Sequence, residues 1–145
     1  MATAYWLVKS EPYKYPFTQL LKDGSTVWDG VRNFEARNNL RAMKQGDLLL
    51  YYHSNEGKEV VGVAKVVRTA YPDPTADAGE EWAVVDVAPL CPLQAPVSLG
   101  AIKAEPRLQA MALLRRSRLS VVPVSATEFQ QVLKMGRTQL PKGSS

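Results

Sequence analysis

The 145 residues include a single cysteine, Cys91, and a single histidine, His53. One thiol permits no intrachain disulfide, and one thiol with one imidazole leaves a structural zinc site short of ligands. No G-x-S-x-G elbow accompanies the histidine, so the serine-hydrolase arrangement is not supported. The H-x-E and P-C-x-x-C pair of zinc deaminases is missing too, because His53 is followed by Ser54 and Asn55. No glycine-rich loop joins a predicted strand to a helix, which argues against nucleotide-cofactor folds; no metal and no cofactor are expected. Long apolar runs are absent: the stretch opening at Tyr5-Trp6 meets charge at Lys9 and Glu11, so it reads as neither a secretory signal nor a membrane span. Internal repeats and low-complexity blocks are missing as well. Together these absences disfavour catalysis and point to a cytoplasmic chain, monomeric by default.

What remains is an ordinary globular composition, 46% hydrophobic and 22% charged. The length fits one domain, read as residues 1–140, with 141–145 as a disordered tail. Such a chain buries roughly two-thirds of its unfolded surface, enough for a core without covalent staples. The formal charge is +4, and its distribution says more than its size. Arg32, Arg37, Arg41 and Lys44 face only Glu35 within one stretch, and Lys103, Arg107, Arg115, Arg116 and Arg118 only Glu105 in another. Asp73, Asp77, Glu80 and Glu81, around Pro72 and Pro74, read as a solvated acidic loop. Two basic stretches suit a polyanionic partner.

The pattern predicts a strand over Tyr5–Lys9 and a short helix from Pro16 through Leu21, stopped at Gly24. Thr26–Trp28 is extended and leads into an Asp29-Gly30 turn. Asn33 is an N-cap for a helix with Glu35 in its first turn and Gly46 beyond its end. Ala36, Leu40 and Met43 share its apolar face, and Arg37, Arg41 and Lys44 another. Leu48–His53 and Glu59–Arg68 form a hairpin across Ser54–Gly57. Further strands are read at Trp82–Leu90 and Leu119–Val124, and a short helix around Leu108–Leu114. Ser125 and Glu128 make a capping box for a last helix through Leu133, closed by Gly136. The sum is α+β: a small barrel or curled sheet of mostly antiparallel strands with short flanking helices. Trp6 and Trp82, within strands, are assigned to the core.

Three loops gather polar and aromatic groups: Lys9-Ser10-Glu11-Pro12, Trp28-Asp29-Gly30-Val31-Arg32-Asn33 and Tyr51-Tyr52-His53-Ser54. An indole such as Trp28 offers a stacking face for a nucleobase, worth roughly 1–3 kcal/mol per base. Ser10, Asn33 and Ser54 can both donate and accept, as reading a base edge requires. Lys9, Arg32 and Arg37 suit the flanking phosphates. On spacing alone the better reading of Trp28 is a core residue beside an ordinary Asp29-Gly30 turn. Tyr51 and Tyr52 point to opposite faces of their strand, so only one of them can line a pocket.

Those blocks, together with Ala36-Arg37-Asn38, Gly46-Asp47, Tyr52-His53-Ser54 and Ser117-Arg118-Leu119-Ser120-Val121-x-Pro123-Val124, resemble the EVE domain from about residue 4 to residue 135. That family is PUA-like and related to the YTH and ASCH domains. The resemblance implies a PUA-like barrel with an aromatic-lined pocket for a flipped, modified base in DNA or RNA. YTH relatives recognise N6-methyladenine in RNA, and EVE members are linked with modified cytosines in DNA. Carried onto this sequence, Ser10 stands at the pocket entrance, Trp28 is a cage wall and Asn33 reads the base edge. His53 and Ser54 line the same site, with Arg116 or Arg118 near the backbone path. Tyr52 or Tyr71 supplies a second wall. One buried methyl is worth only about 0.8 kcal/mol, so selectivity also needs a polar contact, for which Asn33 is the candidate. The alternative is a ribonuclease-like enzyme of the ASCH kind, with His53 or Lys9 in acid–base roles. A third is a protein-interaction or small-ligand module.

Overall fold

The computed structural model describes residues 3–141; residues 142–145, most of the expected tail, lie outside that description. The elements are β1 (Tyr5–Ser10), α1 (Phe17–Asp23), β2 (Thr26–Trp28), α2 (Phe34–Ala42), β3 (Leu48–His53), β4 (Glu59–Pro72), β5 (Ala83–Ser98), α3 (Leu99–Ala104), α4 (Ala112–Arg115), β6 (Val121–Val124) and α5 (Ala126–Met135), with a 3-10 turn at Pro106–Leu108. The six strands make one sheet in the order β2-β5-β4-β3-β1-β6. All its pairings are antiparallel except that of β1 with β3.

The expected barrel is not closed. Among the described residues β2 and β6 end the sheet and do not pair with each other. The two are three and four residues long, too short to complete a ring. Helix α2 packs against β4, β5 and β6 instead, and Asn39 Nδ2 donates to Val121 O of β6 at 2.7 Å. The mixed α+β reading holds.

β3 is covered on both sides: Leu48 through Tyr52 are all buried, so the alternation of a half-exposed strand is missing from its sequence. The parallel register runs from Tyr5 opposite Leu48 to Ser10 opposite His53. Both strands therefore finish at the same end of the sheet, and Ser54 N donates to Ser10 O at 2.9 Å. This pairing brings two of the sequence's polar loops together.

β5 continues to Ser98, well past the expected end at Leu90, through Pro89, Pro92 and Pro96. Proline supplies no ladder donor and is tolerated where one flank is open. β2 covers only Val85–Val87 of that flank, so the prolines lie beyond it. Helix α3 has no apolar periodicity to advertise it; Ser98 caps it by accepting from Ala101 N at 3.0 Å.

Two buried carboxylates tie the fold together. Asp47 accepts from Trp6 Nε1 at 3.0 Å, Lys44 N at 2.9 Å and Ala4 N at 3.1 Å. It thereby satisfies a core indole and fastens the turn before β3 to the start of β1. The other, Asp73, belongs to the site. Trp6 is in the core as expected. Trp82 is not: it is only half-buried and stacks on Phe34, ring centroids 5.1 Å apart. Standing one residue before β5, it packs its ring between helix and loop cations, with Arg32 and Arg37 at 5.5 and 5.8 Å.

Candidate nucleic-acid interface

The ends of β1, β2 and β3 and the segment before β6 surround an open hollow of about 700 Å³. Lys9, Ser10, Trp28, Arg32, Ser54 and Arg118, separated widely in sequence, all line it. Trp28 is 9% exposed and stands edge-on to Tyr51, centroids 5.5 Å apart at 85°. Tyr51, fully buried, is braced in turn by Phe17 at 5.2 Å. Core and wall, the two alternatives for this indole, are thus combined: it closes the aromatic core and borders the hollow.

The wall formed by residues 29–32 is held from behind. Asp73 Oδ2 accepts from Arg32 Nη1 at 2.9 Å and from Gly30 N at 3.1 Å. Its Oδ1 accepts from Thr75 N at 2.7 Å and Thr75 Oγ1 at 2.6 Å. Burial by itself raises the Asp73 pKa, but the hydrogen bonds from Thr75, Arg32 and Gly30 outweigh it and hold the carboxyl at about 2. The expectation of a solvated acidic loop is therefore corrected at Asp73. Its side chain is fully buried because four donors converge on it. Gly30, at φ 76°, occupies the left-handed region this tight turn requires.

The other wall is built by hydrogen bonds across the sheet end. Lys9 Nζ donates to Ser117 O at 2.9 Å, and burial pushes its pKa down. Ser10 Oγ and Tyr51 Oη both donate to Tyr15 O, at 2.9 and 2.5 Å. Glu11 accepts from Tyr13 and from Asn55 Nδ2 and pairs with Lys14, joining the loops after β1 and β3. Tyr15, Asn55, Ser117 and Asp29 line the hollow without having been singled out as site residues. For Asp29 the signal was its place between Trp28 and Gly30, and for Ser117 its place beside Arg118; Tyr15 and Asn55 are brought near in space and carried none.

A second, smaller hollow of about 270 Å³ shares Ser117 and Arg118 with the first and adds Asn33, Arg115 and Arg116. Asn33 Oδ1 caps α2 by accepting from Ala36 N at 2.9 Å, so only its amide hydrogens are uncommitted. Arg116 is bidentate to Glu35, whereas Arg118 makes no hydrogen bond or ion pair among the described residues.

Four of the expected site residues, Tyr52, Arg37, His53 and Tyr71, lie outside both hollows. Tyr52 is buried on the face of β3 opposite Tyr51. Arg37 donates to Glu81 O at 3.1 Å and covers the Phe34 ring at 4.9 Å. His53 Nε2 accepts from Phe17 N at 3.1 Å, satisfying a free donor at the start of α1. Tyr71 lines a different hollow with Trp82 and donates to Asp86.

The bond at His53 needs a neutral imidazole, and burial, against a weaker pull from Glu59, lowers its pKa. A depressed folded pKa gives stability that is complete above the unfolded value near 6.5 and lost as pH falls through the folded one. Acidification from pH 7.5 to 5 is expected to weaken this contact and lower stability. His53→Gln, which retains an acceptor, should flatten that step in urea titrations at the two pH values.

Over residues 4–135 the chain matches the EVE domain. It belongs to the EVE domain family. A crystal structure of an Agrobacterium tumefaciens protein superposes with a TM-score of 0.90 at 46% identity, covering 92% of this chain and 93% of that one. Human THYN1 protein, solved in complex with 5-methylcytosine containing DNA, gives 0.86 at 32% identity, with coverage of 94% and 99%. Rat thymocyte nuclear protein 1 is 34% identical over 90% of this EVE domain and 73% of its own length. A YTH domain of Zygosaccharomyces rouxii MRB1, in complex with N6-methyladenosine RNA, shares the fold at a TM-score of 0.60 and 18% identity, covering 92% and 86%. The open sheet thus shares its fold with a YTH domain. The cytoplasmic expectation is overturned: the rat, mouse and human relatives are named as nuclear proteins. Cysteine usage reports redox environment, which nucleus and cytosol share. Among the described residues no helix is long and apolar enough to cross a membrane.

Proposed function

We propose that this EVE domain binds a modified nucleobase of DNA or RNA, turned out of its strand into the first hollow. The observation that carries the reading is Trp28, whose indole borders an open hollow of about 700 Å³ rimmed by hydroxyls and cations. That volume is in the range of small-ligand sites, about 300–1,000 Å³. Trp28 supplies the stacking surface. Ser54 brings a hydroxyl to the base edge, and Ser10, whose proton is engaged by Tyr15 O, remains an acceptor. Arg118 is free to take a phosphate, and the second hollow, with Asn33 and Arg116, lies where an adjoining nucleotide would run. The human relative's complex makes 5-methylcytosine in DNA the first base to try.

Fluorescence anisotropy with oligonucleotides differing only in one base modification tests this. Trp28→Leu keeps apolar bulk against Tyr51 but removes the stacking face. Binding of the preferred modified oligonucleotide should weaken about tenfold, the loss of one base–aromatic stack. A folded Trp28→Leu protein that binds as tightly as wild type would overturn the proposal.

A further inference from the structure

We infer that Asp29 selects the base, admitting one that presents an exocyclic amino group and rejecting one that presents a carbonyl there. The inference rests on the base-binding reading above and adds the chemical class of the base. Its ground is which lining groups are already committed. Lys9 donates to Ser117 O, Arg32 is held by Asp73, and Ser10 donates to Tyr15 O. Glu11, the other carboxylate in the hollow, accepts from Tyr13 and Asn55 and pairs with Lys14. Asp29 lines the same hollow, and its carboxylate makes no hydrogen bond or ion pair among the described residues.

Position and rigidity support the role. Asp29 follows Trp28 directly, and both residues line the hollow. The Asp29 N–H donates to Val27 O at 3.1 Å, and the next residue, Gly30, is fastened to Asp73. The backbone that carries the acceptor is thus held before the ligand arrives and needs little further ordering on binding. Electrostatics sharpen the point. A bare carboxylate repels a polyanion, so its presence here lowers affinity unless the ligand gives it hydrogens. An ionised carboxylate only accepts. The cytosine N4 amino group and the adenine N6 amino group meet that demand, whereas thymine and uracil bring O4 against it. 5-Methylcytosine and thymine carry the same methyl group and differ at this one edge, which makes them a matched pair.

The experiment is an anisotropy titration of wild type, Asp29→Asn and Trp28→Leu against one oligonucleotide carrying 5-methylcytosine, N6-methyladenine, thymine or uracil at the same unpaired position. Wild type should bind at least one amino-bearing base about tenfold or more tighter than thymine and uracil. In Asp29→Asn, whose amide can turn either a donor or an acceptor to the base, that ratio should fall below about threefold. The side chain has no partner among the described residues, so the melting temperature of the variant should be unchanged. Equal binding of amino and carbonyl bases, weakened by Trp28→Leu, would overturn the role of Asp29 and leave base binding standing. Binding indifferent both to the base and to Trp28→Leu would overturn both.

Discussion

Asp73→Ala is expected to lower the melting temperature by about 10 °C and to remove most base binding, although Asp73 does not line the hollow. Four donors converge on this buried carboxylate. Removing it leaves the Gly30 and Thr75 amides and the Arg32 guanidinium without their partner. Breaking a buried pair by deleting one member costs about 3–5 kcal/mol. Arg32 is 36% exposed and regains some water, so a value near the lower end applies. For a chain of this size each kcal/mol corresponds to about 3 °C. Residues 29–32 would then lose the tether that fixes one wall of the hollow, and binding should fall with the melting point. The wild type carries a second signature. With a folded pKa of about 2 against an ordinary value near 3.8, the carboxylate contributes about 2 kcal/mol that is complete above pH 4 and lost as pH drops through 2. The alanine variant should lack that share of the acid transition. An unchanged melting temperature and acid profile in circular dichroism would remove the clamp from the account.

Gly62→Ala is the second substitution with a large expected effect, about 3 kcal/mol. Gly62 pairs with Tyr51 in the sheet. A Cβ there would lie 2.5 Å from Cε2 and Cζ of Phe17. Phe17 braces Tyr51, which braces Trp28, so the added methyl presses on a chain of three rings ending at the hollow. Overpacking of this kind costs typically about 1–3 kcal/mol, and a contact this short belongs at the upper end. The double variant Gly62→Ala/Phe17→Leu should recover part of the loss, with a coupling energy of about 1 kcal/mol or more in urea titrations. Strict additivity would mean that the ring is not what Gly62 accommodates.

Much of this was legible along the chain. The Asn33 cap, the Ser125–Glu128 capping box, the Ala36–Leu40–Met43 face and the β3–β4 hairpin signal each rest on contacts between near neighbours in sequence, and each is found. The misses are long-range. β5 runs through three prolines because its flank is open there, which pairing decides and local propensity does not. Trp82 looked like a core residue because a strand was read around it; in space it meets exposed Phe34 instead. Asp73 read as solvated because its partners, Gly30 and Arg32, lie some forty positions away. Within the site, Trp28 and the hydroxyls stood out by residue type. The commitments of His53 to Phe17 and of Arg116 to Glu35 did not, because they depend on which elements pack together.

The borders of the sheet bear on how the protein behaves when concentrated. One border is three residues long, and the other, four long, includes Pro123. Along the uncovered flank of β5, the amides of Gln94 and Ala95 are taken by Thr138 Oγ1 and Gly136 O, and prolines stand at 89, 92 and 96. A neighbouring molecule thus meets too few consecutive free amides to zip a strand onto any of these margins. Fibre growth by strand addition is therefore disfavoured at these margins of the native fold.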